Sequence, residues 1–149
     1  MYSPSTLLPL EYQQFVSFLH KHRGFAFRTR LQLTDVDRED GQRVPFYLMP
    51  YLGGHRTLRG YEEFRFRGEN LLLFNAEYRW KAWTSLDMAL FLDMGDVFRE
   101  PGDINLAHLK TSYGIGFRVL TGRSVLLQLD LGWHRWGAPR LQFSFGKVF

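Results

Sequence analysis

The 149-residue chain contains no cysteine, which excludes disulfide bridges, thiol catalysis and metal sites built on cysteine. It also has no apolar run that approaches the roughly 18 residues typical of a membrane-spanning helix. Its first residues, Met1 to Leu10, lack the basic start and apolar middle of a secretory signal, so we expect an exported form to have lost residues upstream or to be a fragment. These absences leave two fold classes, a soluble β protein and a membrane β protein.

Charge of one sign is not concentrated in any part of the chain. The formal net charge is +4, but the arginines and lysines are spread over alternating positions rather than gathered into a patch. Nucleic-acid binding requires a basic patch or stripe. We therefore expect no nucleic-acid partner.

Aromatic residues are abundant at 17%, with 14 phenylalanines among them, and they fall in segments where apolar and polar residues alternate. Such a period of two predicts β-strands. Residues 1–11, which contain Pro4 and Pro9, are predicted to be an extended linker, and residues 12–149 one domain. Seven strands are predicted, at Tyr12–His20, Gly24–Leu33, Leu71–Trp80, Leu86–Gly95, Ser112–Val119, Val125–His134 and Leu141–Phe149.

Three features favour a membrane location for this sheet. The clear strands have about 9 to 11 residues, enough to cross a bilayer at a tilt, whereas strands of soluble proteins average about 5 to 6. Short and long connections alternate, as in outer-membrane barrels. Trp80 and Trp83 flank a short turn while Trp133 and Trp136 flank a longer loop, so the tryptophans fall at both expected interfaces. We predict an all-β, antiparallel transmembrane β-barrel in the bacterial outer membrane.

The predicted strand count implies that the barrel needs additional strands. An open sheet would leave unpaired backbone groups in lipid, and each such group costs several kcal/mol. We therefore expect the chain to be the C-terminal portion, of about seven strands, of a larger barrel, or a shortened product that pairs with other strands. Outer-membrane lipid and the remaining strands are its expected partners.

The longest connection, Thr34–Glu69, contains a glycine-rich element, Leu52–Tyr61, with Arg59 near its end. Asp93 and Glu77 project from neighbouring predicted strands toward the polar interior. If the element folds inward, Arg59 can form a two-pronged, charge-assisted pair with Asp93 and can also reach Glu77. A solvated glycine-rich loop is the alternative interpretation.

These residues resemble two motifs of the outer-membrane protein assembly factor superfamily, also called the bacterial surface antigen family. Leu58-Arg59-Gly60-Tyr61 resembles its Val-Arg-Gly-Phe/Tyr motif at the tip of the inward-folded sixth extracellular loop, with leucine in place of valine. Phe91-Leu92-Asp93-Met94-Gly95 resembles its Phe-x-Asp-x-Gly strand motif, the wall to which that arginine docks. By position, Glu77 resembles a second acidic partner. The resemblance covers about Gly24 to Phe149 and implies the C-terminal part of a sixteen-stranded barrel.

The last predicted strand is similar to the family's outer-membrane targeting signal. Phe143, Phe145 and Phe149 alternate with smaller or polar residues, among them Gly146. Physically, a terminal edge strand carries unpaired backbone groups that can pair with another sheet edge. The alternative is an ordinary strand that ends the chain.

The resemblance implies a non-enzymatic, BamA/TamA-like role in the insertion of β-barrel proteins or in protein secretion, with no cofactor. It also implies periplasmic POTRA domains and client outer-membrane or secreted proteins as partners. Two alternatives stay open: the barrel anchor of an upstream enzyme such as a patatin-like lipase, and a soluble β-barrel that binds a small ligand. We expect no catalytic or metal residue, since Ser112 and His134 lack the spacing of a hydrolase and no paired metal-ligand pattern accompanies the other histidines, which are His20, His22, His55 and His108.

Overall fold

Long antiparallel strands dominate the computed structural model, which describes residues 6–18, 22–35, 44–122 and 124–146. The strands of these described residues are β1 Thr6–Phe18, β2 Arg23–Asp35, β3 Tyr51–Leu52, β4 Phe66–Arg67, β5 Asn70–Trp83, β6 Leu86–Phe98, β7 Lys110–Thr121, β8 Ser124–His134 and β9 Arg140–Phe145. Single 3-10 turns lie at Phe46–Leu48, Pro101–Asp103 and Leu106–His108. No helix in the described ranges is long and apolar enough to cross a membrane.

The seven long strands form one sheet in the order β1, β2, β5, β6, β7, β8, β9, and β3 and β4 form a separate two-stranded ribbon. Every neighbouring pair in the sheet is antiparallel. This architecture confirms the prediction of an all-β antiparallel sheet of seven strands. The ribbon lies within the long connection between β2 and β5, where the sequence predicted only a loop.

The structure corrects the prediction for the first strand. Residues 6–11, predicted to be linker, belong to β1, where Thr6 pairs with Asp35 and Pro9 with Gln32. Proline is tolerated in an edge strand because its missing N–H can lie on the side that has no neighbour. The structure describes β1 as far as Phe18, so the predicted end of this strand lies outside the described residues. Pro4, His20 and Phe149 lie outside the described residues.

The two faces of the sheet differ in the way that a membrane barrel requires. On one face apolar side chains are exposed, as in β6, where Leu90 is 51% exposed and Leu92 41%. On the other face polar side chains are buried, and Asp93 and Glu77 are at most 1% exposed. A soluble sandwich or barrel would bury the apolar face instead. The apolar face therefore points outward and the polar face inward.

The long connection covers the inward face and adds a small apolar core of its own. Leu52, Leu58 and Tyr61 of the connection pack against Leu71 and Leu73 of β5. Burying a leucine side chain contributes about 1.5–3 kcal/mol. These contacts hold the glycine-rich element Leu52–Tyr61, called the docking loop below, against the inner wall.

Candidate functional site

The docking loop turns sharply enough to present Arg59 to the wall. Gly54 N donates to Tyr61 O at 3.2 Å and closes the loop at its base. Gly60 has a φ of +94°, a left-handed backbone conformation that glycine adopts without steric cost. The turn at Gly60 follows directly after Arg59, so the guanidinium points away from the loop and into the sheet.

Arg59 forms a two-pronged ion pair with Asp93 of β6. Its Nε donates to Asp93 Oδ2 and its Nη2 to Oδ1, both at 2.8 Å. The backbone N–H of Arg59 also donates to Oδ2, at 3.1 Å. Both residues are almost fully buried. Parallel N–H to oxygen bonds of this kind define the orientation of the two groups as well as their distance.

Glu77 of β5 receives the remaining prong of the guanidinium. Arg59 Nη1 donates to Glu77 Oε1, and Arg118 Nη2 of β7 donates to the same oxygen at 2.7 Å. Arg79 Nε donates to Glu77 Oε2 at 2.6 Å. Three arginines therefore surround one buried carboxylate.

Two further motif residues of β6 shape the surface under the loop. The guanidinium carbon of Arg59 lies 3.9 Å from the centre of the Phe91 ring, which adds a cation–π contact. A side chain at Gly95 would come within 3.1 Å of Leu52 Cδ1. The absence of a side chain at Gly95 thus leaves room for the apolar base of the docking loop.

Several polar residues outside the two sequence motifs also join the site. Asn75 Nδ2 donates to Asp93 Oδ1 at 2.7 Å and to Thr57 O in the loop at 2.8 Å. Arg28 Nε of β2 donates to Asn75 Oδ1 at 3.0 Å. Asp130 Oδ2 of β8 lies 3.9 Å from Arg59 Nη1. The alternation of polar and apolar residues places these side chains on the polar face. Their closeness to Arg59 depends on the register between neighbouring strands, which the alternation does not reveal.

Arg59 lies among three carboxylates, those of Asp93, Glu77 and Asp130. Burial alone would lower the pKa of Arg59, but Asp93 and then Glu77 outweigh it and raise the pKa above its usual value. The guanidinium therefore stays charged at every physiological pH. Among the residues that the structure describes, no group of three or more acidic or histidine side chains is placed to hold a metal ion.

The predicted targeting strand lies at the far edge of the sheet. Phe143 and Phe145 point outward from β9 and are largely exposed, with ring centres 6.4 Å apart. Gly146, at a φ of +82°, follows the strand and donates to Leu126 O at 3.3 Å. These residues are separate from the cluster around Arg59.

A sheet of long antiparallel strands with an apolar outer face and a polar inner face is the wall of a transmembrane β-barrel. Comparison with known families matches residues 5–149 to the Omp85 superfamily domain. The chain belongs to the Omp85 superfamily, which confirms the resemblance drawn from the two motifs; this is a family of outer-membrane assembly and translocation barrels. The comparison with curated proteins gives no match.

Proposed function

We propose that the chain forms the C-terminal part of an outer-membrane barrel that inserts β-barrel proteins or secretes proteins, and that the docking loop is locked to its wall. The observation that carries this proposal is the buried pair between Arg59 and Asp93, with Glu77 as the second acceptor. The loop occupies the interior face, where it controls the space available inside the barrel.

The ionic character of the contact is informative. Replacing a buried ion pair by apolar residues is often neutral or stabilising, whereas removing one partner leaves a buried charge and costs about 3–5 kcal/mol. Stability alone would thus be served equally well by apolar side chains. The ion pair of Arg59 with Asp93 instead holds the loop in one defined position. The loop is released when that one pair separates.

The orientation of the sheet supports a membrane barrel over a soluble ligand-binding barrel. The exposed outward side chains include Phe25 and Phe27 on β2, Leu90 and Leu92 on β6 and Tyr113 on β7. A continuous apolar surface of this kind marks a protein or membrane contact. We propose lipid as the partner of this apolar face, because the face extends over several successive strands.

The sheet edges support further barrel strands as partners. β1 and β9 are the end strands of the sheet order and do not pair with each other. A closed barrel leaves no unpaired edge in lipid, because every one of its strands has a neighbour on both sides. We propose that additional strands of a sixteen-stranded barrel complete the wall, and that POTRA domains and client proteins act with it in the periplasm and the membrane.

The test compares variants of the full-length protein in the source bacterium. Arg59→Ala and Asp93→Asn should each reduce the amount of assembled outer-membrane proteins or of secreted protein. The reason is that either change leaves one buried charge without its partner. The measurement is the quantity of folded, heat-modifiable outer-membrane protein and of secreted protein per cell, at equal levels of each variant.

Two further variants make this test specific. Arg56→Ala removes an exposed arginine from the same loop and should leave assembly unchanged. The double reversal Arg59→Glu with Asp93→Arg should recover part of the loss, since it restores opposite charges. Normal assembly in both single variants, Arg59→Ala and Asp93→Asn, would show that the loop contact does not serve the proposed function.

A further inference from the structure

The docking loop contacts the last hairpin of the sheet as well as the wall around Asp93. The ring of Tyr61 stacks on the His134 ring of β8, with centres 4.2 Å apart and an angle of 9° between the planes. Gly60 lies against Gly132 of the same strand, where an added side-chain carbon at Gly132 would be 2.7 Å from Gly60 N. The residues directly after Arg59 are thus seated on β8.

The contact continues onto β9, the final strand. Gln142 Nε2 donates to Tyr61 O at 3.0 Å. Arg140 Nη2 forms an ion pair with Glu62, the residue that follows Tyr61. Tyr61 OH also donates to Thr111 O of β7, at 3.3 Å. One short segment of the loop therefore joins three consecutive strands at the end of the sheet.

This arrangement matters because β9 has few other contacts. In the part of the chain that the structure describes, β9 has six residues, Arg140–Phe145, and it pairs with β8 alone. Strand ends with few buried contacts open most easily. The docking loop adds contacts to β9 on the inner face of the sheet. These contacts form without a second neighbouring strand beside β9.

We propose that loop docking and the ordering of β9 are coupled through Tyr61, with His134 and Gln142 as positioning residues. This inference rests on the proposed function in that it takes the pair of Arg59 with Asp93 as the docking contact. The backbone between Arg59 and Tyr61 is one residue long, so the two sets of contacts form in a single loop position. Linkage then requires that weakening either set weakens the other by the same factor.

A partner strand at the edge of the sheet would act on the docking loop through these contacts. A partner that pairs with β9 and shifts it would pull Gln142 and Arg140 away from the loop. The loop would then lose contacts on that side and leave Asp93 more readily. In the other direction, a loop that leaves Asp93 would lose its contacts with Gln142 and Arg140, and β9 would then be held by β8 alone among the described strands.

Hydrogen exchange of the full-length protein in lipid nanodiscs tests the coupling in both directions. The measured quantities are the exchange rates of backbone amides in the docking loop and in β9. Asp93→Asn should speed exchange in β9, although Asp93 lies on β6, and His134→Ala with Gln142→Ala should speed exchange over Leu52–Leu58. We expect at least about a five-fold change in each direction, the lower end of typical coupling between sites.

Controls separate this coupling from a general loss of structure. His108→Ala and Gln14→Ala change exposed residues of the same types in another loop and in β1, and they should leave both rates unchanged. Tyr61→Ala removes the ring that stacks on His134 and the hydroxyl that donates to Thr111 O without altering a strand, and it keeps the backbone oxygen that accepts from Gln142. It serves if the double variant fails to fold, and it should speed exchange in β9.

The outcomes also distinguish the coupling from the proposed function. If Asp93→Asn speeds exchange in the loop but leaves β9 unchanged, loop and strand are independent and the coupling is wrong. If Asp93→Asn leaves the loop itself unchanged, the ion pair does not hold the loop, and both proposals fail. The coupling is likewise wrong if His134→Ala with Gln142→Ala speeds exchange in the docking loop while Asp93→Asn leaves exchange in β9 unchanged.

Discussion

At the scale of single residues, the site explains why position 59 carries arginine rather than lysine. Three nitrogens of the Arg59 side chain donate to two carboxylates, Asp93 and Glu77, while the flat guanidinium lies on the Phe91 ring. A lysine ammonium is a single point of charge and cannot make a two-pronged pair or stack on a ring. The chemistry of the wall therefore selects the guanidinium group.

Gly60 occupies a position that is unfavourable for any residue with a side chain. Its φ of +94° is strained for any residue with a side chain, at a cost of about 1–2 kcal/mol in the left-handed region. An added carbon would also lie 3.0 Å from Gly132 C. Gly60→Ala should thus destabilise the docked loop by more than the backbone cost alone, as measured by the rate at which protease cleaves the loop in vesicle-embedded protein.

Two other glycines separate the backbone cost from the clash. Gly122 has a φ of +62° but open space around it, and Gly102 has open space and no positive φ. Unfolding by urea should rank the alanine variants in the order Gly60, Gly122, Gly102, from most to least destabilised. Equal stability of the Gly60 and Gly122 variants would show that the close approach to Gly132 is unimportant.

At the scale of elements, alternation predicted most of the sheet because each strand has one lipid-facing and one interior side. The face assigned to Glu77, Asp93 and Asp130 is the buried inner face in the structure. The pattern could not reveal register, which depends on pairing between distant segments. That is why Arg28 and Asn75, which meet across β2 and β5, were not recognised as part of the site.

The weakest predictions concern elements with weak local signals. The ribbon of β3 and β4 has two residues in each strand, too few to show a period. The contact of Tyr61 with His134 and Gln142 joins residues more than 70 positions apart, and no local feature of either segment indicates it. The start of β1 was missed because Pro9 usually ends a strand, whereas an edge strand accepts it.

The two-faced sheet makes a prediction that a soluble protein would not share. Leu90 on the outer face and Phe15 on the inner face are similarly exposed, at 51% and 58%. Leu90→Lys places a charge in lipid and should cost about 2–4 kcal/mol near the bilayer midplane. Phe15→Lys places it in the polar interior, where it keeps its water.

The measurement is the free energy of unfolding in lipid vesicles, obtained from urea titration of the full-length protein. The inner-face variant should lose at most about 1 kcal/mol, as expected for a hydrated surface position. Equal losses for both variants would contradict the assignment of the apolar face to lipid. A larger loss for Phe15→Lys than for Leu90→Lys would reverse inside and outside.

At the scale of the whole molecule, the sheet formed by the described residues is a wall with two open sides. The antiparallel order runs from β1 to β9 without closing, and the outer face of β1 exposes Leu8, Leu10 and Tyr12. In lipid each unpaired backbone group along an edge costs several kcal/mol. The free energy of the wall in a membrane therefore depends on strands that pair with β1 and β9.

This dependence predicts the form in which the seven strands occur in cells. We expect them in the outer membrane as part of a larger barrel, because only a closed barrel removes both edges from lipid. Fractionated source cells, blotted with an antibody to residues 141–149, should show a heat-modifiable band far above 17.6 kDa in the outer membrane. A band near 17.6 kDa in the soluble fraction would contradict the membrane assignment, because the exposed apolar face would then have to be covered without lipid. A membrane band of that smaller size would instead require several copies or other chains to complete the wall, and crosslinking between β1 and β9 of neighbouring chains would identify which.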